Sequence, residues 1–256
     1  MVAGLGDACQ PVLILGGFLI GVEAYGPMAE RLEARLGQPV RVVPASRFDW
    51  LATVGRWGWV RLLDRVDQLA RQLAEQSPTG RITLIGHSSG GVMLRLWLSE
   101  EPFGGRCYGG KRWADQLISL GSPHTALRAT ALRQWVDRRL PGAYCAPEVS
   151  YAAVAGQLDP SSPLASATSR RLAARSYAAI SGDPAVVGDG LVPVSSALLA
   201  GAEHLVLDGV AHGGAFGSRW YGTPEVVDQW WGELGDGSGG GRRGHSYGAH
   251  PRATSP

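Results

Sequence analysis

Residues 82–92, Ile-Thr-Leu-Ile-Gly-His-Ser-Ser-Gly-Gly-Val, decide the fold. Ile82 to Ile85 is an apolar, β-branched run, as expected of a strand buried on both faces of a parallel sheet. Val92, Met93, Leu96 and Trp97 follow at helical spacing, so a strand runs directly into a helix. Between them, Gly86-His87-Ser88-Ser89-Gly90 makes the tight turn that lifts Ser88 clear of the sheet, with glycine where a side chain would strike strand or helix. A serine displayed in this way is a candidate nucleophile, and it requires an acid and then a histidine further along the chain. The pattern recurs at Gly244-His245-Ser246-Tyr247-Gly248. There, Gly- and Arg-rich 238–243 precedes and Ala249-His250-Pro251 follows, so neither strand nor helix can flank Ser246.

On either side the chain alternates strand and helix. Pro11–Leu15 reads as a strand ending in Gly16-Gly17-Phe18, Tyr25–Leu36 as a helix stopped by Gly37, and Val40–Val43 as a short strand. Trp57–Glu75 is a long amphipathic helix with Val60, Leu63, Val66, Leu69 and Leu73 on one face. Gln116–Leu120 and Glu203–Leu207 are further strands, and Pro224–Leu234 is a last helix with proline in its first turn. This alternation predicts an α/β protein with a mostly parallel central sheet and helices on both faces.

Residues 124–180 break the rhythm. Ala126–Leu140 reads as a helix and Val149–Gly156 as a strand; the similar phrase Arg175–Gly182 suits a strand or a helix end. Pro160–Ser169, rich in Ser, Pro and Ala, is expected to be a surface loop. The expected organisation is one domain over 1–234 with a lid insertion at about 124–175, and a disordered Gly/Ser/Arg tail over 235–256.

Arginines are scattered, Lys111 is the sole lysine and the net charge is +2, which argues against nucleic acid as a partner. Cys9, Cys107 and Cys145 form neither a metal pattern nor a disulfide framework and favour a reducing, cytoplasmic location. The apolar stretch Val12–Val22 is too short to cross a bilayer, which leaves peripheral membrane contact open.

A serine hydroxyl needs a base to take its proton. His87 adjoins Ser88 but is expected to turn away, His204 opens a strand, and His245 and His250 lie in the tail. His124, at the mouth of a strand, suits a pocket-lining or a structural role, and Gly17 and His87 are the other candidate pocket residues. His212, in the loop after the last strand, lies where side chains converge at the C-terminal edge of the sheet and is the expected base. Asp189, between Gly188 and Gly190, is the expected acid; Asp183 ranks second and Asp159 third. The N–H groups of Ser89 and Phe18 are the expected oxyanion donors, each contributing about 3 kcal/mol to the transition state. Gly16 and Gly17 let the Phe18 loop approach closely.

Together the Gly86–Gly91 turn, Leu120-Gly121-Ser122-Pro123-His124, Gly188-Asp189-Gly190-Leu191-Val192-Pro193 and Trp220-Tyr221-Gly222-Thr223-Pro224 resemble the α/β-hydrolase superfamily. Within it they are similar to the lipase-like and GPI-inositol deacylase-like branch, including lipase-like proteins of cyanobacteria and chloroplasts, over residues 11–234. The resemblance implies the α/β-hydrolase fold and a cofactor-free serine esterase with Ser88, Asp189 and His212 as its triad. Many relatives carry His-Gly where this chain has Gly16-Gly17; some secreted ones carry a calcium-binding aspartate where Gly213-Gly214-Ala215 stands, so no metal is expected. The expected activity is hydrolysis of a hydrophobic or lipid acyl ester, with the acyl chain among apolar side chains of 124–175. The rivals are acyl transfer on the same triad and a non-catalytic binding protein on this scaffold.

Overall fold

The computed structural model describes residues 10–159 and 167–236. Six strands, β1 (Val12–Leu15), β2 (Val40–Val42), β3 (Ile82–His87), β4 (Ala114–Leu120), β5 (Ser150–Gln157) and β6 (Glu203–Asp208), form one sheet in the order β2-β1-β3-β4-β5-β6. Every pairing is parallel. The helices are α1 (Gly26–Leu36), α2 (Arg47–Ala52), α3 (Arg56–Gln76), α4 (Ser89–Leu98), α5 (Ala131–Arg139), α6 (Ala167–Ser181), α7 (Val194–Ala197) and α8 (Pro224–Asp236).

Two apolar layers explain why the central strands lack polar alternation. Leu13, Leu15, Ile82 and Leu84 pack with α3 and α4 on one face, while Val12, Ile14 and Ile85 pack with α1 and α8 on the other. From Gly90 to Leu98, α4 is buried on every side, which fits its apolar composition. From β1 the chain steps outward to β2 and then crosses back to β3, so the carboxyl ends of β1 and β3 flank the crevice where strand order reverses.

Several elements differ from the sequence reading. The helix expected from Ala126 begins at Ala131: Leu127 and Arg128 donate instead to the carbonyls of Ile180 and Ala179, and Thr130 caps the shortened helix. The Arg175–Gly182 phrase belongs to α6 as far as Ser181. The strand expected at Val149–Gly156, inside the expected lid span, is β5, which pairs with both β4 and β6. The loop expected over Pro160–Ser169 falls outside the described residues up to 166, and from Ala167 the chain is α6. Of the expected tail, 237–256 lies outside the described residues. The short helix α2 was not anticipated; Ser46 and Asp49 form a reciprocal capping box that starts it. Among the described residues no helix is long and apolar enough to cross a membrane.

Candidate active site

β1 ends at Leu15 opposite Gly86 of β3, so the loops that leave both strands emerge side by side. Ser88 has φ 54° and ψ −124°, a backbone conformation that L-residues adopt rarely. Its N–H donates to Leu120 O at 2.9 Å, which fixes the turn to the end of β4. The flanking glycines are required by contact. A Cβ on Gly86 would lie 2.3 Å from Gly91 Cα, and one on Gly90 would lie 2.2 Å from Leu15 O.

The structure brings Ser88, His212 and Asp189 together. His212 Nε2 lies 3.0 Å from Ser88 Oγ, and His212 Nδ1 lies 2.8 Å from Asp189 Oδ2. The carboxylate can only accept, so Nδ1 carries the proton and Nε2 is left to accept from the serine hydroxyl. The acid loop and the histidine loop are also tied by a backbone bond, His212 N–H to Asp189 O at 2.8 Å.

Asp189 is buried and saturated with donors. Oδ1 accepts from the N–H groups of Leu191 and Val192 at 3.0 and 2.8 Å, while Oδ2 accepts from His212 and from Tyr221 O–H at 2.9 Å. Tyr221 Oη in turn accepts Gly156 N–H at 2.6 Å, which joins the acid loop to β5. Burial, with the Asp189 carboxylate beside it, pushes the Tyr221 phenol well above its ordinary range and keeps it a donor.

His87 belongs to a second buried chain. Its Nε2 faces His212 O at 2.8 Å and must therefore donate, so Nδ1 accepts from Tyr25 O–H at 2.8 Å. Tyr25 Oη accepts Gly17 N–H at 2.7 Å. The loop after β1 is thus connected through Tyr25 and His87 to the backbone of His212. Burial, and the neighbouring His212, hold the His87 imidazole well below its usual range, so it stays neutral.

A cleft of about 530 Å³ opens onto Ser88 and His212. Its apolar wall is made by Phe18, Trp50, Val54, Trp59, Met93 and Ile180. Among the described residues only Thr130, Arg133 and Pro123 come from the chain between β4 and β5, and of the described wall most is supplied by 46–59 and 176–192 rather than by the expected 124–175. Neither Gly17, His87 nor His124 lines this cleft. Gly17 backs onto Ser88, where a Cβ would lie 2.8 Å from the serine Cβ. His124 is buried behind β4, with Nε2 3.0 Å from Ser119 Oγ and Nδ1 3.4 Å from Arg95, a structural position. Burial, and then Arg95, depress its pKa well below the usual value. The runner-up acids are employed elsewhere: Asp183 caps a turn at Ala185 N, and Asp159 lines a separate hollow. His204 faces Leu199 O, while His245 and His250 lie outside the described residues.

Sequence reasoning gave no role to Tyr25, Tyr221, Trp50 or Val54. Tyr221 did lie within a motif already singled out, next to the only other aromatic of that phrase. Among the described residues no group of three or more His, Cys, Asp or Glu could hold a metal ion.

No protein-family model matches this chain, and comparison with curated proteins gives no match. Solved structures do match. A protein of Xanthomonas campestris named as a hydrolase of the alpha/beta superfamily is 17% identical over 88% of this chain and 97% of that one, with a TM-score of 0.50. A Listeria innocua protein is 14% identical over 88% and 93%, with a TM-score of 0.51. Est1E from Butyrivibrio proteoclasticus, solved with ferulic acid bound, is 14% identical over 89% and 90%, also at 0.51. With its six-stranded parallel sheet, helices on both faces and the Ser88 turn at the end of β3, this chain has the α/β-hydrolase fold.

Proposed function

We propose that this chain is a serine carboxylic-ester hydrolase of the lipase-like branch, acting on a hydrophobic or lipid acyl ester. One observation carries the reading: Ser88 Oγ, His212 and Asp189 are in hydrogen-bond sequence at the floor of an apolar cleft. His212 Nε2 takes the hydroxyl proton as Ser88 Oγ bonds to the ester carbonyl carbon, and Asp189 stabilises the imidazolium so formed. The carbonyl oxygen becomes an oxyanion beside the N–H groups of Phe18 and Ser89, the latter at the N-terminus of α4 where the helix dipole favours negative charge. Collapse breaks the ester C–O bond, and His212 returns its proton to the leaving alkoxide. Water, deprotonated by the same imidazole, then releases the acid and regenerates Ser88. No step draws on a cofactor.

The segments around α5 and the start of α6, within the expected span of about 124–175, form the lid of this enzyme, and Thr130 and Arg133 are the described cleft residues they contribute. A cytoplasmic setting suits the free thiols of Cys107 and Cys145.

A fluorophosphonate probe, which reacts only with an activated serine, tests the assignment. Wild type is expected to label, Ser88→Ala to lose labelling, and its turnover of a medium-chain ester to fall roughly 10⁴- to 10⁶-fold. Undiminished labelling of Ser88→Ala, or an inert wild type, turns the protein into a non-catalytic binder on a hydrolase scaffold.

A further inference from the structure

The described residues include eleven large hydrophobic side chains that are exposed, and six of them, Phe18, Leu19, Phe48, Leu51, Val54 and Trp57, come from two short segments at the cleft mouth. Scattered apolar exposure is ordinary, whereas concentration at one place marks an interaction surface. Phe48 is 82% exposed, Val54 73% and Trp57 64%. The two segments touch: Phe18 meets Trp50 edge-on, with ring centroids 6.5 Å apart. Phe18 and Val54 also line the cleft, so the patch is continuous with the approach to Ser88.

These side chains are displayed by a built corner. The Ser46–Asp49 capping box starts α2, Trp59 Nε1 donates to Thr53 O at 2.9 Å, and Gly58 lets α3 press directly on Ala52. Positive charge outnumbers negative around the corner, where Glu23 shares a hollow with Arg47. Arg47, Arg56 and Arg61 flank the apolar residues, with the Arg61 guanidinium 4.6 Å from the Trp57 ring centroid. The one acid within 46–61, Asp49, is already held by Arg65 at 2.9 Å and Arg61 at 3.6 Å. A second copy of this face would set arginines against arginines. A surface of anionic headgroups over acyl chains matches both features, because aromatic and aliphatic tips enter the boundary while guanidinium groups meet phosphate.

We infer that the α2–α3 corner, with the Phe18–Leu19 turn, docks this protein on anionic lipid surfaces so that its cleft opens into the interface. Docking itself stands on the exposed corner alone; its use in delivering an ester to Ser88 rests on the proposed activity. The test is co-sedimentation of the full chain with phosphatidylcholine vesicles, with or without 30% phosphatidylglycerol, at about 0.1 M salt, where surface charge still reaches across roughly 10 Å. Partitioning is expected to be at least tenfold stronger on the anionic vesicles. The Phe48→Gln/Trp57→Gln variant is expected to lose at least tenfold, and Arg47→Gln/Arg56→Gln to lose the preference for anionic lipid. Neither pair lines the cleft, so both variants are expected to turn over a short water-soluble ester as wild type does, which also shows that they fold.

Equal sedimentation of wild type and the Phe48/Trp57 variant overturns the inference. So does absence of wild-type binding to either vesicle, including the case in which the same substitutions abolish a concentration-dependent dimer. Vesicle binding by a protein that the fluorophosphonate leaves unlabelled removes the esterase reading and keeps the docking face.

Discussion

Two tyrosines hold the proposed triad from behind. Tyr221 O–H bridges Gly156 N–H and Asp189 Oδ2, so its loss removes a hydrogen bond to a buried carboxylate and strands a buried donor. A bond to a charged group contributes about 1.5–3 kcal/mol, so Tyr221→Phe is expected to lower kcat roughly ten- to hundredfold. KM for a short ester should stay unchanged, because Tyr221 is absent from the cleft wall. Steady-state kinetics that show KM rising with kcat preserved would reduce Tyr221 to a packing residue. Tyr25 does the corresponding work for the other loop, through Gly17 N–H and His87. Ser88, Asp189 and His212 were legible in the sequence because each sits in a glycine-flanked turn with a local signature. The tyrosines were not legible, since a phenol reveals its partners only once distant segments have packed.

At the level of elements, the alternation of strand and helix was readable because burial on both faces leaves β1 and β3 no exposed positions and a mostly apolar sequence. The cleft wall was not. Trp50, Thr53, Val54 and Trp59 meet through the α2–α3 corner, and the capping box that starts this corner spans only four residues. The acyl chain is expected from the sequence among apolar side chains of 124–175, whereas the described residues of that span give the cleft only Thr130 and Arg133. The corner depends on Gly58, where a Cβ would lie 2.2 Å from the backbone C and O of Ala52. Gly→Ala inside a helix ordinarily stabilises by about 1 kcal/mol. Gly58→Ala is expected to do the opposite, costing about 2 kcal/mol or more, since backbone cannot swing aside as a side chain can. Urea denaturation measures the sign, and a stabilised variant would show that α2 yields freely.

For the molecule as a whole, acid is the condition to which the fold is exposed. His87 and His124 are buried, and both are held neutral with pKa values well below 6.5. The unfolded chain takes up those protons below about pH 6.5 and the folded one does not, so stability is full above that pH and falls as pH drops beneath it. Each histidine contributes up to about 2 kcal/mol of loss between pH 6.5 and 5. Urea midpoints at pH 7 and 5 are expected to show this, and His124→Gln, which does not titrate, to show a smaller difference; an unaltered difference would place the acid sensitivity elsewhere. The dihedral angles of Ser88 reach just as far. Such a conformation costs on the order of 1–3 kcal/mol, and glycine adopts it freely. Ser88→Gly should therefore be inert and yet melt a few degrees higher, at about 2–4 °C per kcal/mol for a chain of this length. Heat tolerance and the proposed chemistry compete at a single residue, and a search for sturdier variants that does not also screen for turnover would select the loss of the proposed nucleophile.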